Sequence, residues 1–128
     1  MQLSTKMDTN ELNRRYNAGQ RDFTGADLSG VKLIRAYLPG VNLWAANLTG
    51  ANLARAKLWG ANFEGANLAR ANLTGANLSG VNLSQANLRG AKLNNVKLYG
   101  ANFSGAFYDQ STRFPRGFDP ISKNMRLI

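Results

Sequence analysis

The sequence predicts an all-β solenoid, in which short extended segments wind into stacked coils. From Phe23 to Tyr108 a five-residue unit repeats eighteen times without an insertion. Each unit has a large apolar residue at its centre, Leu in fourteen units, and a small residue two positions earlier, Ala in thirteen. Gly occupies the fifth position of eleven units, so eleven of the thirteen glycines share one phase. A repeat this short and regular indicates one architectural element throughout.

The five-residue period excludes a helix. Five residues rotate an α-helix by about 500°, so successive centres would not share a face. A Gly every five residues would also cost about 1 kcal/mol each relative to Ala. In an extended segment the small residue and the centre point one way, and the polar residue between them points the other. Each unit is therefore predicted to be a three-residue extended edge followed by a two-residue corner, and such edges bury their apolar side only by stacking.

Residues 1–20 are predicted to form an N-terminal helical cap. Asp8 has the character of a helix N-cap, with Glu11 three residues later. The helix is expected to pass through Tyr16, to end near Gly19, and to cover the open edge of the first coil.

Residues 111–128 are predicted to form an irregular C-terminal cap. Their apolar residues follow no fixed spacing and are interrupted by Pro115 and Pro120. The alternative interpretation of this segment is a homodimer interface.

The repeated unit, at full strength in Ala71-Asn72-Leu73-Thr74-Gly75, resembles the pentapeptide-repeat family, whose consensus is Ala-(Asp or Asn)-Leu-X-X. The resemblance covers residues 21–110, and the tail from Phe114 to Pro120 resembles that of cyanobacterial members. It implies a right-handed quadrilateral β-helix with four units per coil, hence about four to five coils. The spacing alone would leave three or four sides open. The resemblance also implies that a dimer would form through the C-terminal end.

The side-chain inventory predicts that the protein is not an enzyme and holds no cofactor or metal. The sequence has no His and no Cys, which excludes an imidazole base and a thiolate nucleophile. The glycines follow the five-residue period instead of forming a phosphate-binding loop. Ten Asn share the polar position of the unit, and we interpret them as solvated or backbone-bonding residues of a ladder, not as a ligand array.

Charge is segregated among the predicted faces. Faces 1, 2, 3 and 4 begin with the units of Phe23, Leu28, Leu33 and Leu38, and each contains every fourth unit thereafter. The four carboxylates of the repeat region fall on faces 1 and 2, whereas faces 3 and 4 have none. We name the candidate interaction residues of faces 3 and 4 the basic–aromatic surface: Lys32, Arg35, Tyr37, Arg55, Lys57, Trp59, Lys92, Lys97 and Tyr99.

The primary functional hypothesis is a non-catalytic scaffold that binds a protein partner. The positive charge of the surface favours an acidic partner. Nucleic-acid binding through the same surface is the alternative, because Lys and Arg contact phosphates and aromatic rings stack on bases. The family resemblance also implies a third activity, inhibition of DNA gyrase by mimicry of DNA. Such mimicry needs an acidic rod, and this chain has a net charge of +9. Gyrase mimicry is therefore disfavoured.

The location is expected to be cytoplasmic, without membrane contact. No apolar run reaches the roughly eighteen residues of a membrane-spanning helix, and the first residues lack the apolar core of a signal peptide. A monomer is favoured over the C-terminal homodimer. Neither the partner nor the biological process is encoded in a recognisable motif.

Overall fold

The structure, a computed structural model, describes residues 5–128. Its regular elements are helix α1 (Thr9–Asn17) and the two short parallel strands β1 (Phe107–Tyr108) and β2 (Arg126–Leu127). Between α1 and β1 the chain consists of the predicted units, each carrying a single bridge residue followed by a turn. An edge of three residues is too short for a conventional strand, and one bridge per unit is what its length allows.

The bridges establish how the units stack. From Asp22 to Asn87, the polar residue of each unit forms a parallel bridge with the residue twenty positions later, as in the series Asp22, Asn42, Asn62 and Asn82. Each unit is hydrogen-bonded in both directions along the stack: Asn62 N–H donates to the Val41 carbonyl oxygen, and Phe63 N–H donates to that of Asn82. Four units therefore complete one coil, and the predicted solenoid is confirmed.

The core runs along the axis of the stack. Every centre from Phe23 to Leu93 is buried, and so is every small residue from Val41 to Ala91. From Val41 to Leu93 the alternation predicted from the sequence holds at each edge, since the polar residue between the two buried ones is at least partly exposed. The inside of the solenoid is consequently a column of Leu and Phe enclosed by Ala and Val.

The corners explain the phase of the glycines. From Gly25 to Gly105 every fifth residue has a positive φ, between 56° and 74°. Gly adopts this left-handed region without the clash that a Cβ introduces. Six corners use other residues instead, namely Arg35, Ala45, Arg55, Arg70, Gln85 and Asn95.

Helix α1 covers the N-terminal end of the stack. Its N-cap is Asp8, whose carboxylate accepts a hydrogen bond of 2.8 Å from the Glu11 N–H. Leu12 and Tyr16 are buried against the first coil, and the Tyr16 hydroxyl donates to the Pro39 carbonyl oxygen at 2.6 Å. The Glu11 carboxylate accepts from Arg14 and Arg15 along the helix. The Thr9 hydroxyl also donates to the Lys32 carbonyl oxygen at 2.7 Å, so the cap docks by apolar burial and two long-range hydrogen bonds.

The C-terminal segment closes the other end with aromatic side chains. The Phe118 ring lies 5.1 Å from that of Phe103 and 4.8 Å from that of Phe114. The final strand β2 pairs with β1, with Phe107 opposite Arg126. The outermost apolar residues of this end, Ile121, Leu127 and Ile128, remain exposed. The bounds of both caps stay predictions.

Candidate interaction surface

All nine residues of the basic–aromatic surface are exposed. The bridges place Lys32 and Lys92 in one column of face 3, separated by two Asn, and Tyr37, Lys57 and Lys97 in one column of face 4. Folding thus brings residues that are sixty positions apart in sequence onto the same side of the rod.

The ten Asn at the polar position of the unit all hydrogen-bond to the backbone of their own corner. In all ten units the Asn side-chain oxygen accepts a hydrogen bond from the backbone N–H two residues later, which stabilises the corner. At Asn47 it accepts from the Thr49 N–H at 3.1 Å and from the Thr49 hydroxyl at 2.7 Å. The ten are Asn42, Asn47, Asn52, Asn62, Asn67, Asn72, Asn77, Asn82, Asn87 and Asn102. Their prediction as backbone-bonding residues is confirmed.

Two of the four carboxylates of the repeat region, those at the polar position of the unit, serve the same purpose. Asp22 accepts from the hydroxyl and the N–H of Thr24, and Asp27 accepts from the N–H and the hydroxyl of Ser29. These hydrogen bonds stabilise the charged form and lower the pKa of each carboxyl below its ordinary value. Both carboxylates are therefore engaged in turn-forming hydrogen bonds.

The units that lack this hydrogen bond are concentrated on one side of the rod. Six of the eighteen units carry neither Asn nor Asp at the polar position. Five of the six lie on faces 3 and 4, and the sixth, Phe107, lies on face 2. A side-chain hydrogen bond of this kind is worth about 0.5–1.5 kcal/mol, so each replacement forgoes stability at its corner. The five replacements on faces 3 and 4 are Lys32, Tyr37, Lys57, Lys92 and Lys97.

Two aromatic sites stand on face 4. The Tyr37 and Trp59 rings make an edge-to-face contact, with centroids 5.7 Å apart and planes at 86°. This contact holds Trp59 in place while leaving it exposed. Tyr99, two coils further along the same face, is 90% exposed. The structure therefore brings Tyr37 and Trp59 together but leaves Tyr99 apart from them.

Two arginines occupy the corner between faces 3 and 4. Arg35 and Arg55 have φ values of 59° and 60°, where a residue with a Cβ is strained by about 1–2 kcal/mol. The Arg55 side chain reaches toward the next coil, so that a Cβ added at Gly75 would lie 3.2 Å from Arg55 Cγ. Strain of this kind persists only where the surrounding fold imposes it, and it often marks functional positions.

Arg113 is a residue of this surface that the sequence did not reveal. It bridges Lys92 in parallel and is exposed, so it extends the lysine column of face 3 by one coil. Its separation from Lys92 is twenty-one residues instead of twenty. Because of that single extra residue, Arg113 does not fall at the polar position of the five-residue repeat. The repeat was the only feature of the sequence from which its face could have been assigned.

The rest of the described chain was compared with the features of a metal site, a membrane-spanning helix and a ligand cleft. Across residues 5–128, no three His, Cys, Asp or Glu side chains converge as metal ligands would. In the same range no helix has the length and apolar character to cross a bilayer. A cleft at the C-terminal end is lined by Asp109, Gln110, Ser111, Leu127 and Ile128. The Asp109 carboxylate in this cleft accepts from the Ser111 hydroxyl at 2.7 Å, which lowers its pKa.

The repeat and its geometry correspond to a known family. A sequence model of pentapeptide repeats matches residues 22–44, 46–85 and 66–105, in eight copies. The chain belongs to the pentapeptide-repeat family. Pentapeptide-repeat proteins fold as right-handed quadrilateral β-helices, and they are generally non-enzymatic structural or interaction modules.

Solved structures of three family members resemble the chain. A pentapeptide repeat protein of Nostoc PCC 7120, alr5209, is 32% identical over 98% of this chain and 100% of its own, with a TM-score of 0.65. One from the thylakoid lumen of Arabidopsis thaliana is 32% identical over 73% of this chain and 70% of its own, with a TM-score of 0.59. HetL, involved in heterocyst differentiation regulation in Nostoc, is 30% identical over 85% of this chain and 57% of its own, with a TM-score of 0.47. Comparison with curated proteins gives no match.

Proposed function

We propose that this protein is a right-handed quadrilateral β-helix of about four to five coils that acts as a non-catalytic scaffold. It binds an acidic protein partner through the basic–aromatic surface. One observation carries the proposal: five of the six units that give up the corner-stabilising Asn or Asp lie on faces 3 and 4. Replacements made for stability or solubility alone have no reason to collect on one side.

The chemistry of the replacements favours a partner over bare solvent. Faces 3 and 4 carry six Lys and Arg in the repeat region and no carboxylate. Exposed rings of Tyr37, Trp59 and Tyr99 stand among these cations. Interfaces are enriched in Tyr, Trp and Arg, and complementary charge steers the encounter. A rigid backbone presents this set without a backbone ordering cost on binding.

Partner capture from a cell lysate tests the proposal. The double variant W59S/Y99S should retain its far-ultraviolet circular dichroism and melting temperature, because both rings are exposed. It should lose the partner that the wild-type protein captures. Trp44 lies exposed on face 1 and supplies the matched control, so Trp44→Ser should capture the partner normally. Equal capture by all three proteins would place the interface elsewhere.

Nucleic-acid binding is the second candidate, favoured by the alternation of cations and rings on face 4. Lys57 stands two residues before Trp59, and Lys97 two residues before Tyr99. Fluorescence anisotropy against duplex DNA, single-stranded DNA and RNA at two salt concentrations tests it. Micromolar affinity that falls steeply with salt would favour nucleic acid. Absence of binding at low salt would exclude it.

We further propose that the protein is a monomer, since helix α1 and the Phe103, Phe114 and Phe118 cluster cover the two ends of the stack. A C-terminal homodimer is the alternative, favoured by the exposure of Ile121, Leu127 and Ile128. Size-exclusion chromatography with light scattering distinguishes the two. A mass of twice 13.9 kDa at tens of micromolar protein would establish the dimer.

Inhibition of DNA gyrase stays a disfavoured activity, because a chain of charge +9 does not imitate a polyanion. Potent inhibition in a supercoiling assay at stoichiometric protein would reverse this ranking. A cytoplasmic location also belongs to the proposal, although one family member of similar structure comes from a thylakoid lumen. A fluorescent fusion imaged in cells tests the location.

A further inference from the structure

Face 4 carries the same short motif twice. Lys57-Leu58-Trp59-Gly60 and Lys97-Leu98-Tyr99-Gly100 are forty residues apart, which is two coils. Parallel bridges connect Lys57 to Asn77 and Asn77 to Lys97, so the motifs lie directly above one another with one coil between them. In each motif a Leu, buried at Leu58 and half-buried at Leu98, separates an exposed cation from an exposed ring. The face therefore presents two cation–ring pairs along the solenoid axis, one whose ring packs against Tyr37 and one whose ring is 90% exposed.

The distance between the two pairs can be compared with the repeat length of a peptide that lies along this axis. Neighbouring strands lie about 4.8 Å apart, so the two motifs are separated by about 9.6 Å. A polyproline II helix repeats every three residues, or about 9.3 Å. An extended strand presents one side every 6.6 Å or so, and an α-helix makes two turns in about 10.8 Å. The polyproline II repeat matches the two pairs most closely.

The groups between the pairs suit the same backbone. A polyproline II segment makes no internal hydrogen bonds, so its carbonyl oxygens need donors from outside. Trp59 Nε1–H and the Tyr99 hydroxyl are such donors on exposed rings. Asn77 Oδ1 accepts from the Ser79 N–H at 3.1 Å, which leaves the Asn77 NH₂ group as a donor midway between Lys57 and Lys97. Aromatic side chains are also what proline-rich segments contact in other recognition domains.

We propose that face 4 binds an acidic, proline-containing segment of a partner protein in the polyproline II conformation. The segment lies along the solenoid axis, its proline rings on Trp59 and Tyr99 and its carboxylates against Lys57 and Lys97. Charge complementarity favours a negatively charged segment, because faces 3 and 4 carry no carboxylate in the repeat region and Arg55 adds a further cation beside Lys57. This inference rests on the proposed scaffold function and names the partner's chemistry.

Fluorescence anisotropy with defined probes tests the inference on the full chain. The primary probe is a labelled peptide of repeated Pro-Pro-Glu triplets, and the matched probe replaces every Pro by Ala at equal length and charge. We expect salt-sensitive binding of the Pro-Pro-Glu probe that is about tenfold tighter than that of the Ala probe. W59S/Y99S and K57N/K97N should each weaken it by about tenfold, whereas Trp44→Ser on face 1 should not change it. Melting temperatures verify that all variants are folded.

The outcomes separate this inference from the proposed function. Equal affinity for the two peptides would show recognition of charge alone and would overturn it. Binding of a single-stranded oligonucleotide in place of either peptide would overturn it in favour of nucleic acid. If W59S/Y99S loses a partner from lysate while no Pro-Pro-Glu binding is measurable, the scaffold function stands and the polyproline II inference is wrong.

Discussion

Faces 1 and 2 differ from faces 3 and 4 only on the outside. Inside, the centres of all four faces from Phe23 to Leu93 are buried Leu or Phe. Outside, faces 1 and 2 keep Asn or Asp at nine of ten polar positions, whereas faces 3 and 4 keep Asn at three of eight. The repeat therefore determines the core of all four faces, and departures from it mark the positions where the outward residue is not needed to stabilise the corner. Each prediction below tests one side of this comparison.

The largest expected effect tests whether the interior is uniform. Leu68 on face 2 and Leu73 on face 3 are both fully or almost fully buried near the middle of the stack. Replacing either by Ala should lower the free energy of unfolding by about 2–5 kcal/mol, through lost burial and the cavity left behind. Urea unfolding measures both, with outward Thr74→Ala as the control at about 0.5 kcal/mol or less. A cost at Leu73 close to that of Thr74 would contradict the inward assignment on face 3.

A second test concerns the strained corners. Arg55 on face 3 and Gln85 on face 1 both occupy left-handed backbone, at φ values of 60° and 61°. Replacing either by Gly should stabilise the fold by about 1 kcal/mol, because Gly adopts this conformation without strain. Thermal unfolding measures the gain. Only Arg55→Gly should also weaken partner binding, and an equal loss of binding in Gln85→Gly would remove the distinction between the faces.

A third test exchanges the polar positions themselves. Lys57→Asn on face 4 restores the repeat residue and should add a hydrogen bond to the backbone N–H of Trp59. The expected gain is about 0.5–1.5 kcal/mol of unfolding free energy, together with weaker partner binding. Asn67→Lys on face 2 is the reverse exchange and should lose a similar amount, because Asn67 now accepts from the Ala69 N–H at 3.0 Å. Destabilisation by Lys57→Asn would show that Lys57 contributes to the fold.

Much of the fold followed from the sequence because its period has few physical solutions. The five-residue unit predicted which residues are buried, which face outward and where the chain turns, and the structure confirms all three. The spacing of Phe23, Phe63 and Phe103 was compatible with four sides, but spacing alone leaves the number of sides open, since a corner after every edge closes a triangle as readily as a square. The N-cap at Asp8 was predictable because helix capping is local.

The candidate surface was predictable only where it obeys the period. Lys57 and Lys97 could be placed on one face because their separation is a whole number of coils. Arg113 could not, since one extra residue shifts its register with no local trace in the sequence. Whether the nine residues bind a partner stays a prediction, because binding depends on a second molecule that the chain does not encode.

The smallest expected effect is a dependence of stability on acid that belongs to faces 1 and 2 alone. The pKa of Asp22 is lowered chiefly by the Thr24 hydroxyl, and that of Asp27 chiefly by the Ser29 N–H. A lowered pKa means that these carboxylates stabilise the fold above their ordinary value of 3.8. That contribution is lost as the pH falls through the lower values of the folded state. The melting temperature should therefore not change with pH near neutrality through these two groups, and it should fall once the pH drops below their ordinary pKa.

The double variant D22N/D27N isolates this contribution. Asn forms the same turn in ten other units but without the charge, so the variant should fold normally and be slightly less stable than the wild type at neutral pH. Its amide does not titrate, and it should therefore retain more of its melting temperature than the wild type in acid. Asp109 titrates in both proteins and leaves a shared residual acid dependence. If the two proteins lose stability in parallel as the pH falls, the acid sensitivity does not come from the corners of faces 1 and 2.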